Sequence, residues 1–367
     1  MTSQALDYIT IKGFKSIASI EKLPLRPINL LIGANGAGKS NFIGVFSFIR
    51  SVYEGRLQTY VRENGGADQI LHFGSKTTEK IEFCVSSASG TNEYHLTLGL
   101  TQEDRLFPER EVATFAGRKV INYPESVVPR ENGMEAGISD PMLGEVNIPG
   151  LGLWRIYHVH DTSRTAPIRK TAKLNDNHYL SPDGSNLPSF LYRLRHRERE
   201  NYELIRRIVQ RVTPFFDDFL LEPDPLNEEY IRLAWRHKGS DKYFGAAALS
   251  DGSLRFIVLA TLLLQPPILR PSVILVDEPE LGLHPSAIAL LASLVKQASV
   301  DGQVIMSTQS ALLLDYFEPE DVLVAERDGG GTSVKRLDAK RLKSWLEDYS
   351  LGELWEKNEL GGRPAPE

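Results

Sequence analysis

The chain has 367 residues, with 42 lysines and arginines against 48 aspartates and glutamates, for a formal net charge of −6. That balance excludes a protein that is basic throughout, the kind that coats nucleic acid, and leaves room only for a local basic face. A single cysteine, Cys84, excludes an intrachain disulfide framework, no Cys/His cluster has zinc spacing, and no apolar run reaches the roughly 20 residues that span a bilayer.

The opening "MTSQALDYITIKGF" lacks a basic stretch followed by an apolar one. No signal peptide is expected, and the chain reads as cytoplasmic. Alternation at Tyr8, Ile9 and Ile11, followed by "GFKSI", predicts an edge strand, a turn and a second strand. "INLLIG" (28–33) is a continuous apolar run ending in glycine, which suits a strand buried on both faces. Helical spacing follows in "SNFIGVFSFIRSVY" (40–53). "KIEFCVSS" (80–87) and "EYHLTLGLT" (93–101) predict a hairpin, with Cys84 as a small core residue. Short strands are expected at 111–115 and 119–123, a loop over 124–153, a helix over 186–212 and a hairpin over 230–249. From Ser250 the pattern becomes helix, strand, helix, strand: "SLRFIVLATLLL", "SVILVDE", "HPSAIALLASLVKQA", "QVIMST", then two further strands in "DVLVAER" and "TSVKRLD". The first apolar strand and these later ones predict two halves of one sheet. The halves are 1–78 and 249–367, with an antiparallel and helical lobe at 79–248 between them.

"GANGAGKS" (33–40) matches G-x-x-x-x-G-K-[ST] without a gap. Glycines at 33, 36 and 38 let several backbone N–H groups turn towards phosphates, and the helix that follows adds its positive end. Gly33, Ala34, Asn35, Gly36, Ala37, Gly38, Lys39, Ser40 and Asn41 are the expected nucleotide-binding residues, with ATP and Mg²⁺ as cofactors. Lys39 would reach the β- and γ-phosphates and Ser40 would place its hydroxyl on Mg²⁺. In "SVILVDEPELGLHP", four apolar residues put Asp277 at the carboxyl end of a buried strand, where ligands bind in open α/β sheets. Asp277 would then hold the hydrated Mg²⁺, and Glu278 would orient and polarise the attacking water. In "LSDGSLRFIVLATLLL" Ser250 caps a helix and Gly252 permits close backbone approach, which makes an anion site.

"LSDGS" resembles the LSGGQ signature of ABC-type ATPases, and the order "GANGAGKS", "LSDGS", "VILVDE", "ELGLHP" is the order of that family's motifs. The fold that the resemblance implies is an α/β P-loop NTPase, an ABC-type ATPase head with a mixed sheet. It also implies a homodimer with ATP sandwiched between one subunit's phosphate loop and the other's Ser250 and Gly252. "ITIKGFKSI", "YLSPDGSNLPSFLYRL" and "LGELWEKNELGGRP" resemble the RecF/SMC/OLD group, and within it the predicted ATPases of the AAA_21 type. The long stretch between Lys39 and Ser250 is unlike ABC transporter subunits. It has no sustained heptads for coiled-coil arms, and too few residues follow "VIMSTQS" for a TOPRIM nuclease of typical domain size. Gln309 stands where ABC proteins present a switch histidine. Its amide can donate to a γ-phosphate but cannot titrate. His284 reads as a turn or interface residue, and Gln69 and Gln102 are rivals for the Q-loop glutamine.

Arginines at 193, 195, 197, 199, 206, 207 and 211 outnumber the nearby glutamates, and Arg155, Arg164, Arg169, Lys170 and Lys173 form a second basic stretch. On one helix Arg195, Arg199 and Arg206 would share a side, facing either solvent with ion pairs or double-stranded DNA, as the resemblance implies. The expected function is therefore an ATP-dimerised ATPase of DNA maintenance or anti-phage defence, working with a separately encoded nuclease or other effector. The alternative is a nucleotide-dependent scaffold or sensor with little turnover. In that case a tail bearing Trp345 and Trp355 would either dock a partner or seal the sheet edge.

Overall fold

A computed structural model describes residues 5–123, 136 and 154–362. The expected loop over 124–153 lies outside the described residues, Ala136 excepted. Strands β1 (Leu6–Phe14) and β2 (Ile17–Pro24) form a hairpin, and the next strand, β3 (Ile28–Ile32), is buried at every position. Helix α1 (Lys39–Tyr53) leaves the phosphate loop and buries Phe42, Phe46, Phe48 and Ile49. Two short helices follow, α2 (Leu57–Glu63) and α3 (Ala67–Ile70). A meander then runs through β4 (Lys80–Ser87), β5 (Asn92–Leu100), β6 (Leu106–Phe115) and β7 (Arg118–Tyr123). The antiparallel sheet reads β2-β1-β4-β5-β6-β7, so β1 is an inner strand and β2 the edge, the reverse of the expected order. Cys84 is buried in β4, and that burial raises its thiol to about 11.

After β8 (Trp154–Tyr157) come β9 (Ala172–Lys173), α4 (Leu187–Arg197) and α5 (Arg199–Val212). The helical stretch is thus two helices that meet at Glu198, whose φ of −133° and ψ of 56° are not helical. Strands β10 (Phe216–Leu220), β11 (Pro223–Asp224), β12 (Asn227–Ile231), β13 (Ala234–His237) and β14 (Tyr243–Gly245) make two small sheets, β10-β13-β14 and β11-β12-β9. "YIRLAWRH" is therefore split between two strands, and only its second half pairs with β14 as the expected hairpin.

Helix α6 (Asp251–Leu264) is buried at every position from Leu254 to Leu264, as a helix apolar all round must be. The remaining elements are β15 (Val273–Asp277), α7 (Pro285–Ala298), β16 (Gln303–Ser307), α8 (Ala311–Leu314), β17 (Val322–Asp328), β18 (Gly331–Arg336), α9 (Ala339–Leu342) and α10 (Leu351–Glu356). The core sheet is mixed, in the order β18-β17-β3-β16-β15-β8, with only β17 and β18 antiparallel. As the two-halves reading expects, β3 lies between the late strands β16 and β17. Strand β8, from the stretch assigned to the lobe, joins this core sheet beside β15. Parallel pairing sets the carboxyl ends of β3, β15, β16 and β8 side by side, and the motifs collect there.

Candidate functional site

The phosphate loop is held in shape by its glycines and by a distant strand. Gly36 and Gly38 have φ of 81° and 99°, in the left-handed region that suits glycine. A Cβ on Gly38 would collide with Thr332, whose hydroxyl donates to Ala37 O at 2.9 Å and lies 2.8 Å from Ser16 Oγ. Asn41 donates to the same Ser16 Oγ at 2.7 Å. The loop is thus braced by the β1–β2 turn and by β18. Ala34 N donates to Gly362 O at 2.5 Å, so the segment after α10 touches it as well. Trp355 packs with Leu351, Leu354 and Leu360 against Ile32, Val322 and Val324, and seals that side of the sheet, while Trp345 is exposed.

Lys39 is buried, and its ammonium donates to Gly33 O at 2.7 Å and Ala34 O at 3.0 Å. Burial lowers its pKa, against the pull of Glu278, Asp277 and Glu280, so the loop lysine and the three acids share one field. Asp277 ends β15, and Ser307 of the neighbouring β16 donates to its Oδ1. Glu278 has φ of 42°, an uncommon value for a residue with a side chain, and its amide donates to Ser307 O at 3.0 Å. Gln309 Nε2 donates to Glu278 Oε1, so the two groups expected at the γ-phosphate are in contact.

Glu280 is a residue that motif reading left without a role. Its Oε1 accepts from Thr308 Oγ1 at 2.6 Å and from Gln309 N at 3.0 Å, while its buried Oε2 has no partner. Burial raises its pKa, and the bonds from Thr308, its own backbone and Gln309 oppose that. It ties the segment after Asp277 and Glu278 to Thr308 and Gln309.

The signature turn is anchored from behind. Ser250 caps α6, accepting from Ser253 N at 3.1 Å, and is itself exposed. A Cβ on Gly252 would strike Gly282 O, so the turn lies against "ELGLHP" of its own chain, the stretch in the place of the D-loop of ABC-type ATPases. Arg255 donates to Val159 O at 2.8 Å, His160 O at 3.0 Å and Leu281 O. Arg169 donates to Thr162 O at 2.7 Å and Ala246 O at 2.5 Å, and pairs with Asp251 at 2.6 Å. Its place is therefore inside the fold, not on the basic face where composition put it. His284, as a turn residue, caps α7.

The basic face is smaller than its arginine count. Arg206 is engaged by Glu203, Asp217 and Asp218, and Arg193 donates to Asn177 O at 3.0 Å. Arg195 stands on α4 whereas Arg199 and Arg206 stand on α5, so the three do not share one helix. Arg155 stacks on Tyr179, 4.4 Å from the ring centroid. Arg195, Arg197, Arg199, Arg207 and Arg211 remain exposed. Gln69 is exposed on α3, and Gln102 sits in the β5–β6 turn. The helix and the turn touch, since Asp104 of that turn accepts from Asp68 N at 2.8 Å.

Two histidines were missed altogether. Tyr157 pairs with Val276, which sets His158 and His160 beside Asp277 at the carboxyl end of β15. One ligand atom from each of the three lies within 4.8 Å of the others, the only such His/Cys/Asp/Glu group among the described residues. Loss of hydration lowers the His158 pKa, with Asp277 opposing. The available signal was the i,i+2 spacing in "YHVH" behind an apolar strand, but its third member comes from a strand far along the chain.

A P-loop strand between two late strands, two acids at the end of the strand one further along the sheet and a capped glycine turn over the stretch "ELGLHP" define an ABC-type ATPase head. The chain belongs to the AAA_21 family, whose model, described as "AAA domain, putative AbiEii toxin, Type IV TA system", matches residues 28–315. It is 23% identical over 388 aligned residues to the "Old nuclease" of Escherichia phage P2; the match takes in 93% of this chain and 62% of that protein's length. Among solved structures it resembles an Smc head bound to the C-terminal winged-helix domain of ScpA, with TM-score 0.61, 16% identity, and coverage of 92% of this chain and 99% of that one. It also resembles an Smc head with an extended coiled coil, bound to the C-terminal domain of ScpA, from Pyrococcus furiosus, with TM-score 0.58, 15% identity, and coverage of 94% and 98%. At these identities the Smc likeness is one of fold. Among the described residues no helix is long and apolar enough to cross a membrane.

Proposed function

We propose that the chain binds and hydrolyses ATP in a head-to-tail homodimer, each phosphate loop closed by the partner's signature turn, and that closure is passed to DNA or to a separately encoded effector. The observation that carries this reading is the placement of Ser250. It is exposed at a helix N-terminus whose backbone is fixed to the D-loop by Gly252 and Arg255. That is an anion site aimed outward on a rigid mount.

Within a protomer, Lys39 would exchange Gly33 O and Ala34 O for β- and γ-phosphate oxygens. Ser40 and the free Oδ2 side of Asp277 suit Mg²⁺, which supplies positive charge to the phosphates when bound. Glu278 would accept a proton from the attacking water, and Gln309 would turn from Glu278 Oε1 to the γ-phosphate. Until it does, the amide occupies the carboxylate oxygen that water needs. That occupation is the feature favouring the second reading, a slow-turnover sensor that assembles an effector.

The likeness to the phage P2 protein, a nuclease by name, supports a role in nucleic-acid metabolism, and exposed Arg207 and Arg211 offer contacts to a duplex. The test is Glu278→Gln, which keeps shape and removes the base. Turnover is expected to fall at least about 100-fold while ATP affinity holds, and light scattering should show a dimer with ATP and Mg²⁺. A variant that stays monomeric under those conditions would refute the sandwich. Double-stranded DNA should raise wild-type turnover if DNA is the partner.

A further inference from the structure

We propose that His158, His160 and Asp277 form a binding site for a first-row transition-metal ion, of the Zn²⁺, Co²⁺ or Mn²⁺ class, that fills without nucleotide. The inference deepens the ATPase reading, since Asp277 is shared with the expected Mg²⁺ position, but the site itself does not require ATP.

The geometry comes from strand pairing. Strands β8 and β15 are parallel neighbours, in register from Val273–Trp154 to Val276–Tyr157. The chain beyond Tyr157 therefore continues alongside Asp277. The rings of His158 and His160 lie with centroids 6.1 Å apart, while Val159 between them is buried. His160 Nε2 lies 3.8 Å from Asp277 Oδ2, and one ligand atom of each of the three residues falls within 4.8 Å of the others. An ion with bonds of about 2.0–2.2 Å holds its ligands roughly 3–3.5 Å apart. Rotation of the two solvent-facing imidazoles covers that difference.

The surroundings orient the donors. Ser307 occupies Asp277 Oδ1 and leaves Oδ2 on the histidine side. Arg255 fixes the backbone of the histidine segment through Val159 O at 2.8 Å and His160 O at 3.0 Å. Bonds of this kind hold ligands in place before the ion arrives. Donor chemistry then sets the class of ion. Mg²⁺ takes oxygen ligands and gives up its waters reluctantly, whereas imidazole suits Zn²⁺, Co²⁺, Fe²⁺ and Mn²⁺. Two imidazoles and one carboxylate leave open positions for water or a phosphate oxygen.

The test uses the full chain without an affinity tag, stripped with chelator and free of nucleotide. Co²⁺ is titrated while its visible d–d absorption is followed, and Zn²⁺ is measured by competition with a chromophoric chelator. One equivalent should bind, Zn²⁺ more tightly than Co²⁺ and Co²⁺ more tightly than Mn²⁺. A 100-fold excess of Mg²⁺ should leave the cobalt spectrum unchanged. His158→Ala and His160→Ala should each weaken Co²⁺ at least about 10-fold, and the double variant should lose it. His158→Asn with His160→Gln repeats the test with bulk retained, and far-UV circular dichroism confirms folding. His95→Ala, on a different sheet, should change nothing. Absence of a d–d spectrum, displacement by equimolar Mg²⁺, or a full equivalent retained by a folded double variant would each overturn the proposal. Lys39→Ala separates the two readings. It should abolish ATP binding yet keep the cobalt site, so failure of either result leaves the other to be judged alone.

Discussion

On the phosphate side of a protomer the chemical groups already have partners inside the chain: Lys39 on two carbonyls, Asp277 on Ser307, Glu278 on Gln309. On the signature side, Ser250 is exposed, and the bonding lies behind it, in Arg169 and Arg255. Binding on the first side exchanges existing bonds for new ones, so its net gain is small relative to its gross contacts. The second side is preformed and has little to reorganise. In the proposed dimer, such a head would gain most where both sides meet across one nucleotide.

The comparison breaks most visibly at Lys39. Lys39→Ala removes charge-assisted bonds to phosphate worth about 3 kcal/mol or more. ATP affinity should fall roughly 100-fold or further, as calorimetry would read, with the signature helix intact. Gly252→Ala attacks the other side. The added methyl meets Gly282 O and should cost about 1–3 kcal/mol by overpacking. The expected result is a lowered melting temperature and a large loss of turnover, with ATP affinity of the isolated protomer nearly unchanged. Equal losses of affinity and turnover would place Gly252 in the same functional unit as Lys39.

Gln309→Ala sharpens the picture at smaller scale. Turnover should drop about 10-fold, the worth of one hydrogen bond to a charged group, while affinity shifts little. A rise in turnover would show instead that the amide chiefly blocks Glu278. The smallest effect belongs to Arg207→Glu with Arg211→Glu. Turnover without DNA should stay the same, and the salt dependence of any DNA binding should flatten by about one phosphate contact per arginine.

The phosphate side was the legible one. "INLLIGANGAGKS" and "VILVDE" each carry a buried strand, a turn and a chemical group within one local window, and local windows are what pattern reading resolves. The capped glycine turn was legible because Ser250 and Gly252 stand two residues apart at the head of an apolar helix. What stayed hidden depends on pairing between distant strands. Strand β8 is four residues long and had no reason, from its own sequence, to join β15 rather than the lobe. His158 and His160 therefore gave no cluster until Asp277 was placed beside them. Arg169 misled for a related cause: charge along the chain does not reveal that a guanidinium turns inward to the carbonyls of nearby Thr162 and of distant Ala246.

The position of β3 carries a consequence for how the molecule is made. Its neighbours are β16, where Val304 faces Ile28, and β17, where Val322 faces Leu30. Every residue of β3 is buried, yet the whole intervening lobe must be synthesised before either neighbour exists. An apolar strand emerges early and waits, unpaired at both edges, while the intervening lobe is built. Pairings of such long sequence separation close slowly and leave strand edges open to other chains. The nucleotide loop is thus translated well before the strands that hold it, so a pause or truncation before β16 leaves a phosphate loop without a sheet to hold it.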